Sequence, residues 1–186
     1  PLKSITSGEG GIITTNNDKI SKNIQLYRNH GIFRDKKKYW KYDVLKNGFN
    51  YRISDVNCAL GLSQLDKISL FLKKRKLINA KYINEFKNFN LNLKIPTYSQ
   101  NIKPSFHLFL INIKFNNIKK NKDEFMKYLM KNNILAQQHY IPIYKFKIYE
   151  EKDKNFIDSE KYIKNTVSIP IYVNLKIKDQ NRIIKT

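Results

Sequence analysis

The spacing of hydrophobic and polar positions changes several times along this chain, and each change marks an element. Residues 11 to 15, Gly-Ile-Ile-Thr-Thr, form a β-branched run bounded by glycines and by Asn16-Asn17, which predicts a strand and then a turn. Asp18 is placed to cap the next segment, where Ile20, Ile24 and Tyr27 share one helical face until His30-Gly31 stops it. Residues 33 to 49 have no clear period and read as a long, basic, aromatic loop, and loops of that length are more often functional than idle. From Ser54, the positions Val56, Leu60, Ile68, Leu72, Ile78 and Tyr82 keep helical spacing. They predict a helix or bent helix pair to about residue 88, with Lys73-Lys74-Arg75-Lys76 riding on its solvent side.

The segment 88–104 is polar, contains Pro96 and Pro104, and reads as a linker or domain edge. Beyond it the pattern becomes strand (105–115), helix (122–132, with Phe125, Tyr128 and Leu129 on one stripe) and strand (135–144). A helix near 159–164 leads to Val167-Ser168-Ile169-Pro170-Ile171-Tyr172, an edge strand or extended loop. The part beyond that edge reads as a small α/β unit of its own, and the expected fold class is α/β. There is no internal repeat.

Composition narrows the function classes. Among 186 residues, 41% are hydrophobic and 13% aromatic, enough to bury a core. The single cysteine, Cys58, excludes an internal disulfide framework and a multi-cysteine zinc site. His30, His107 and His139 are far apart and show no metal spacing. No apolar run approaches the length of a membrane span and no signal peptide opens the chain, so a soluble cytoplasmic protein with no membrane partner is expected. The formal charge of +21 raises nucleic acid as a partner. Yet the basic residues are 31 Lys and only 5 Arg, dispersed in a chain rich in Asn and Ile. Arg is the residue that forks onto phosphate and guanine, so solvated faces and compositional drift are the expected reading, with no nucleic-acid partner. The chain opens Pro1-Leu2-Lys3 without Met and ends at Thr186 inside a young helix. A fragment cut at the front is expected, with the back end open.

Three clusters could carry chemistry. Lys3 precedes Ser4-Ile5-Thr6-Ser7-Gly8-Glu9-Gly10-Gly11, a small-residue loop where backbone can approach a ligand closely; a partly desolvated lysine there is an amine nucleophile. Glu9 suits a turn or helix-dipole contact. Gly48-Phe49-Asn50-Tyr51-Arg52-Ile53-Ser54-Asp55 offers Asn50 as a neutral donor and Arg52 as a planar fork ahead of a helix N-terminus. The same residues also suit a plain helix cap with a surface ion pair, and both readings stand. Gln137-Gln138-His139-Tyr140-Ile141-Pro142-Ile143-Tyr144 can line a sugar or nucleotide pocket, or form an edge strand with one ordinary histidine.

In this order the clusters resemble the sugar aminotransferases of the DegT type, DegT/DnrJ/EryC/StrS, which are fold-type I pyridoxal-phosphate enzymes acting on nucleotide-linked keto sugars. The matching segments are Pro1-Leu2-Lys3 with Gly8-Glu9-Gly10-Gly11, Arg28-Asn29-His30-Gly31, Gly48 to Asp55, and Ala59-Leu60-Gly61-Leu62-Ser63-Gln64-Leu65. His139 to Tyr144 and Ser168 to Tyr172 close the match. Within the family, the His-Tyr-Ile-Pro wording is most similar to the pseudaminic acid branch, whose members aminate C4 of a UDP-linked 4-keto-6-deoxy-N-acetyl-altrosamine-type sugar.

The resemblance implies the end of a large pyridoxal-phosphate domain over 1–90 and the small C-terminal domain over 91–186. It implies Lys3 as the cofactor-bearing catalytic lysine, and Asn50 reaching from the partner of a homodimer toward cofactor phosphate or substrate. Arg52, Gln138, His139, Tyr140 and Ile141 are implied as contacts to a nucleotide sugar, with glutamate as amino donor and no metal. Relatives that dehydrate sugars carry His where Lys3 stands, so lysine implies transamination. A front half absent from this segment would supply most of the cofactor cup, leaving the segment inactive by itself. The rival readings are another member of the family, acting on a different sugar or at C3, and a non-catalytic basic binding or dimerisation fragment.

Overall fold

Side-chain caps set where three of the helices begin. The computed structural model describes residues 3–38, 40–87, 89, 93–149 and 156–186. Asn17 caps α1 (Asp18–Arg28), its side chain accepting from the Ile20 amide, so the expected cap moves back by one residue and Asp18 falls in the first turn. Ser54 caps α2 (Asp55–Leu65). The helix α3 (Ile68–Lys87) follows after Asp66-Lys67, matching the expected helix pair. Asn121 and Glu124 form a reciprocal capping box on α4 (Lys122–Lys131). The chain closes with α5 (Ile157–Asn165) and α6 (Ile177–Lys185).

The chain divides into two compact units, residues 5–67 and residues 68–186 with 1–4. The division falls at Lys67/Ile68, where α3 begins, and one stripe of α3 is built into the second unit. That stripe is Arg75, Ile78, Asn79 and Tyr82, at helical i, i+3, i+4 and i+7 spacing. Arg75 is only 3% exposed. The expectation that it rides on the solvent side with its lysine neighbours is therefore corrected: the run 73–76 spans most of a helical turn, and one of its four residues must face inward.

In the second unit, β3 (Leu93–Lys94), β4 (Phe109–Ile113) and β5 (Thr166–Ile169) form an antiparallel sheet in the order β3-β4-β5. Phe109 pairs with Ile169, Leu110 with Ser168 and Ile111 with Val167. Tyr82, Phe109 and Val167 are fully buried, and the rings of Tyr82 and Phe109 meet at 4.8 Å. Burying each such side chain contributes about 1.5–3 kcal/mol. The Tyr82 hydroxyl donates to the Pro170 carbonyl at 2.8 Å, and burial with Tyr172 nearby pushes its pKa far above the usual phenol range. Gln180 of α6 donates to the Ile78 carbonyl at 2.8 Å, tying α6 to α3.

The expected strand over 135–144 is reduced to a single bridge, Gln137 to Ser168, followed by a 3-10 turn at Ile143–Lys145. Pro142 has no amide hydrogen to continue a ladder. Residues 105–108 are likewise irregular, and Phe106 adopts a left-handed φ of 51°.

In the first unit, the expected loop 33–49 contains a short hairpin, β1 (Ile32–Arg34) with β2 (Tyr42–Val44). The expected strand over 11–15 pairs with no other strand among the described residues, and Ile12 and Ile13 are exposed. A β-branched run makes a strand only when a neighbour offers a ladder. Among the described residues of this unit only Gly31 is buried. Gly31 has φ +69°, and a Cβ on it would overlap the Lys46 carbonyl; a Cβ on Gly48 would overlap the Gly31 amide. These two glycines let the end of α1 and the segment 46–51 approach backbone to backbone. Among all described residues, no helix is long and apolar enough to cross a membrane.

Candidate active site

The second unit holds a cavity of about 760 Å³ where the sheet end, the bridge at Gln137 and the chain start converge. Lys3 lines it with His107, Gln137, His139, Tyr140 and Ser168. Lys3 is itself exposed, more open than the partly desolvated setting expected of it.

Each polar side chain in the wall is fixed by the chain behind it. Ser168 lies in β5, 4% exposed, and exchanges both backbone hydrogen bonds with Gln137 at 2.8 and 2.9 Å. That places Gln137 and His139 on one face of an extended segment, and Ser168 Oγ lies 2.7 Å from His139 Nδ1. The Tyr162 hydroxyl donates to the His139 carbonyl at 3.2 Å. Beneath the wall, Arg75 Nη1 donates to the carbonyls of Phe106, His107 and Ile171 at 3.1–3.2 Å, binding the turn that carries His107 to the chain after β5. Burial holds the Arg75 pKa below its ordinary value.

Electrostatically, the site sets two imidazoles, both held toward the neutral form, beside an amine. Burial lowers the His139 pKa first and the charge of Lys3 adds to it; His107 is lowered by burial, then by Lys3, Arg75 and His139. Among the described residues, buried His107 Nδ1 has no hydrogen-bond partner. Asp179 and Arg182 also line the cavity and approach each other at 3.9 Å.

The remaining expected site residues lie elsewhere. Gln138 faces away from the cavity, where its Oε1 accepts from Lys122 Nζ at 2.6 Å, and Lys122 also donates to the Ile163 carbonyl at 2.5 Å. Burial lowers the Lys122 pKa, opposed by Asp123. Tyr140 borders both the cavity and a shallow depression that Ile141, Pro142 and Tyr162 line. Asn50 and Arg52 belong to the first unit: Asn50 bridges Asn29 and is exposed, and Arg52 Nη1 donates to Asn29 Oδ1 at 2.6 Å. Arg52, Tyr51, Arg28 and Glu9 line a cleft of that unit, and the Glu9 backbone carbonyl accepts from Asn57 Nδ2 at 3.2 Å. Ser168, His107 and Arg75 were not expected site residues. The available signal was a serine between Val167 and Ile169 in an otherwise apolar run, since a buried hydroxyl needs a partner.

Residues 1–186 match the DegT/DnrJ/EryC1/StrS aminotransferase family, and the chain belongs to that family. It is 36% identical over 183 residues to the UDP-4-amino-4,6-dideoxy-N-acetyl-beta-L-altrosamine transaminase of Campylobacter jejuni subsp. jejuni, covering 96% of this chain and 47% of that protein. It is 33% identical over 187 residues to an uncharacterised protein of Methanocaldococcus jannaschii, covering 95% of this chain and 48% of that one. Its structure is similar to that of Helicobacter pylori PseC, an aminotransferase involved in the biosynthesis of pseudoaminic acid, with a TM-score of 0.88 and 29% identity. That likeness covers 99% of this chain and 49% of the other. The chain thus has the α/β fold of the pyridoxal-phosphate-dependent sugar aminotransferases, as expected from its sequence, and spans about half the length of the curated relatives it matches.

Proposed function

We propose that this chain is part of a pyridoxal-phosphate-dependent aminotransferase that converts a nucleotide-linked 4-keto-6-deoxy sugar to its 4-amino sugar. Glutamate is the proposed donor, and pseudaminic acid or a related surface glycan the proposed destination, in the cytoplasm. The observation that carries this reading is the amine of Lys3 on a cavity whose wall also holds His107, Gln137, His139 and Ser168, in a chain of this family. The likeness to the C. jejuni transaminase supports a UDP-linked sugar and amination at C4. The comparable likeness to the archaeal relative keeps a second reading in play, a family member acting on another nucleotide sugar or at C3.

The residues present fit the amine-anchored end of the cofactor. The cavity has room for an aromatic ring with a phosphate, the anchoring amine is exposed to it, and the neighbouring imidazoles are held toward the neutral form. When bound, pyridoxal phosphate supplies a carbonyl that amines condense with and an electron sink for the carbon that loses a proton. Lys3 would hold it through Nζ, and the same atom would carry the transferred proton. His139 and Tyr140 bind and orient the sugar nucleotide, with Gln138 and Ile141 in the same segment. Asn50 reaches the cofactor phosphate or substrate of the partner subunit in a homodimer, and Arg52 contacts an anionic group there once it leaves Asn29. In the whole enzyme, residues 1–90 close the large domain and 91–186 form the small one. The remaining half of the family's length supplies most of the cofactor cup, so these 186 residues by themselves are expected to bind cofactor poorly and turn over nothing.

The test uses the complete reading frame carrying this chain, loaded with pyridoxal phosphate, reduced with borohydride and mapped by mass spectrometry. A cofactor adduct on Lys3, lost in Lys3→Ala, is expected. A folded, dimeric protein with no adduct there would overturn the proposal.

A further inference from the structure

We infer that Ser168 is a positioning residue for His139: its hydroxyl fixes the imidazole as the Nε2–H tautomer, so that the nitrogen left free of the protein wall is a hydrogen-bond donor. The inference rests on the proposed function only in naming what the donor meets, an oxygen of the nucleotide-sugar substrate.

The argument begins with the hydroxyl proton. Ser168 is 4% exposed, and its amide and carbonyl are both taken up by Gln137. A buried hydroxyl keeps a proton that needs an acceptor, and leaving it unpaired costs about 1–3 kcal/mol. Among the described residues the partner recorded for Ser168 Oγ is His139 Nδ1, at 2.7 Å. If Nδ1 carried the proton and donated to Oγ, the serine proton would be left without an acceptor. With the serine donating, Nδ1 is bare and the ring proton sits on Nε2. Both ring and backbone are held in that arrangement. The Gln137 bridge fixes the strand register, and Tyr162 grips the His139 carbonyl.

The surroundings favour a neutral ring. The charged and titratable groups sharing the cavity wall with His139 include Lys3, His107 and Tyr140 together with the paired Asp179 and Arg182. A neutral imidazole with a fixed tautomer offers one defined donor, whereas a freely rotating ring offers donor and acceptor interchangeably. A donor beside the Lys3 amine suits a carbonyl, hydroxyl or phosphate oxygen on the ligand and disfavours a second cation.

The experiment reads the tautomer directly. The complete reading frame is produced with ¹⁵N-labelled histidine, and the imidazole nitrogens of His139 are observed at neutral pH, assigned by their loss in His139→Gln. A bare Nδ1 and a protonated Nε2 are expected in the unaltered protein. Ser168→Ala is expected to lose this signature, moving both nitrogens toward the averaged shifts of mixed tautomers, and Ser168→Thr to restore it. A protonated Nδ1 in the unaltered protein, or unchanged shifts in a folded Ser168→Ala, would overturn the inference. Should Ser168→Ala fail to fold, the unaltered spectrum and Ser168→Thr decide. No turnover is needed, so a missing cofactor adduct on Lys3 would count against the proposed function and leave the tautomer result standing.

Discussion

Lys122 Nζ donates to Gln138 Oε1 at 2.6 Å, from the first turn of a helix, where a cation is electrostatically out of place. The contact is there because the same ammonium also reaches the Ile163 carbonyl near the end of α5. One side chain thus joins α4, α5 and the segment that carries His139. Lys122→Met keeps the stem and removes both bonds, and about 1–3 kcal/mol of stability should be lost in urea unfolding of the complete protein. An unchanged midpoint would mean that the helix dipole and desolvation already cancel the two bonds.

Arg75 should be less replaceable. Arg75→Met would leave three carbonyls without their donor and release the turn at Phe106, whose left-handed backbone is unfavourable for a residue with a Cβ. A loss of about 3 kcal/mol or more is expected, read by denaturant unfolding. Arg75→Lys should recover only part of it, since the shorter lysine stem does not bring its ammonium to the place of Nη1, the one atom that reaches all three carbonyls.

In the first unit, Gly31→Ala and Gly48→Ala should act alike although their residues are 17 apart, because each added methyl meets backbone of the same close approach. Each should open the hydrogen bonds from His30 to the Phe49 carbonyl and from Leu45 to the Gly31 carbonyl. Hydrogen exchange at the His30 and Leu45 amides would report it, with protection lost in both variants and the β4–β5 amides unaffected.

Acid should destabilise the second unit before its carboxylates titrate. His107 and His139 both have pKa values below the ordinary histidine value when folded, so between the two values the unfolded chain binds protons that the folded chain does not. Stability is then full above about pH 6.5 and falls as pH drops through that window. Thermal unfolding from pH 7.5 to 5.0 should show the decline, and His139→Gln should flatten it.

The helices were legible because apolar stripes are local; of the caps, Ser54 was legible beside Asp55 and does open α2, Asp18 was the expected cap where Asn17 caps α1, and the Asn121 capping box was not expected. The strands were less so. Gly11–Thr15 and Leu135–Tyr144 have strand composition, but pairing is a property of what lies alongside. Lys3 and His139 were legible as chemistry and do line one cavity. Gln138 was not legible in its orientation, since a one-residue step along an extended segment reverses the face. Arg75 was hidden in a basic run whose lysines do face water, and only the phase of α3 against β4 and β5 shows which of the four turns inward.

The near absence of buried side chains between residues 5 and 67 has a consequence for how this chain meets proteases. A peptide bond is cut when about ten residues around it can be drawn out into an enzyme's cleft, and local opening controls that. Here α1, α2 and the hairpin hold few contacts that opening would break, whereas parting α3 from β4 and β5 must lift Tyr82, Phe109 or Val167 from a sealed interior. Trypsin, offered lysines in both units, should therefore trim this polypeptide from one side and leave a resistant remainder beginning near α3. The length of that remainder would mark out, in daltons, the part of the chain that holds itself together.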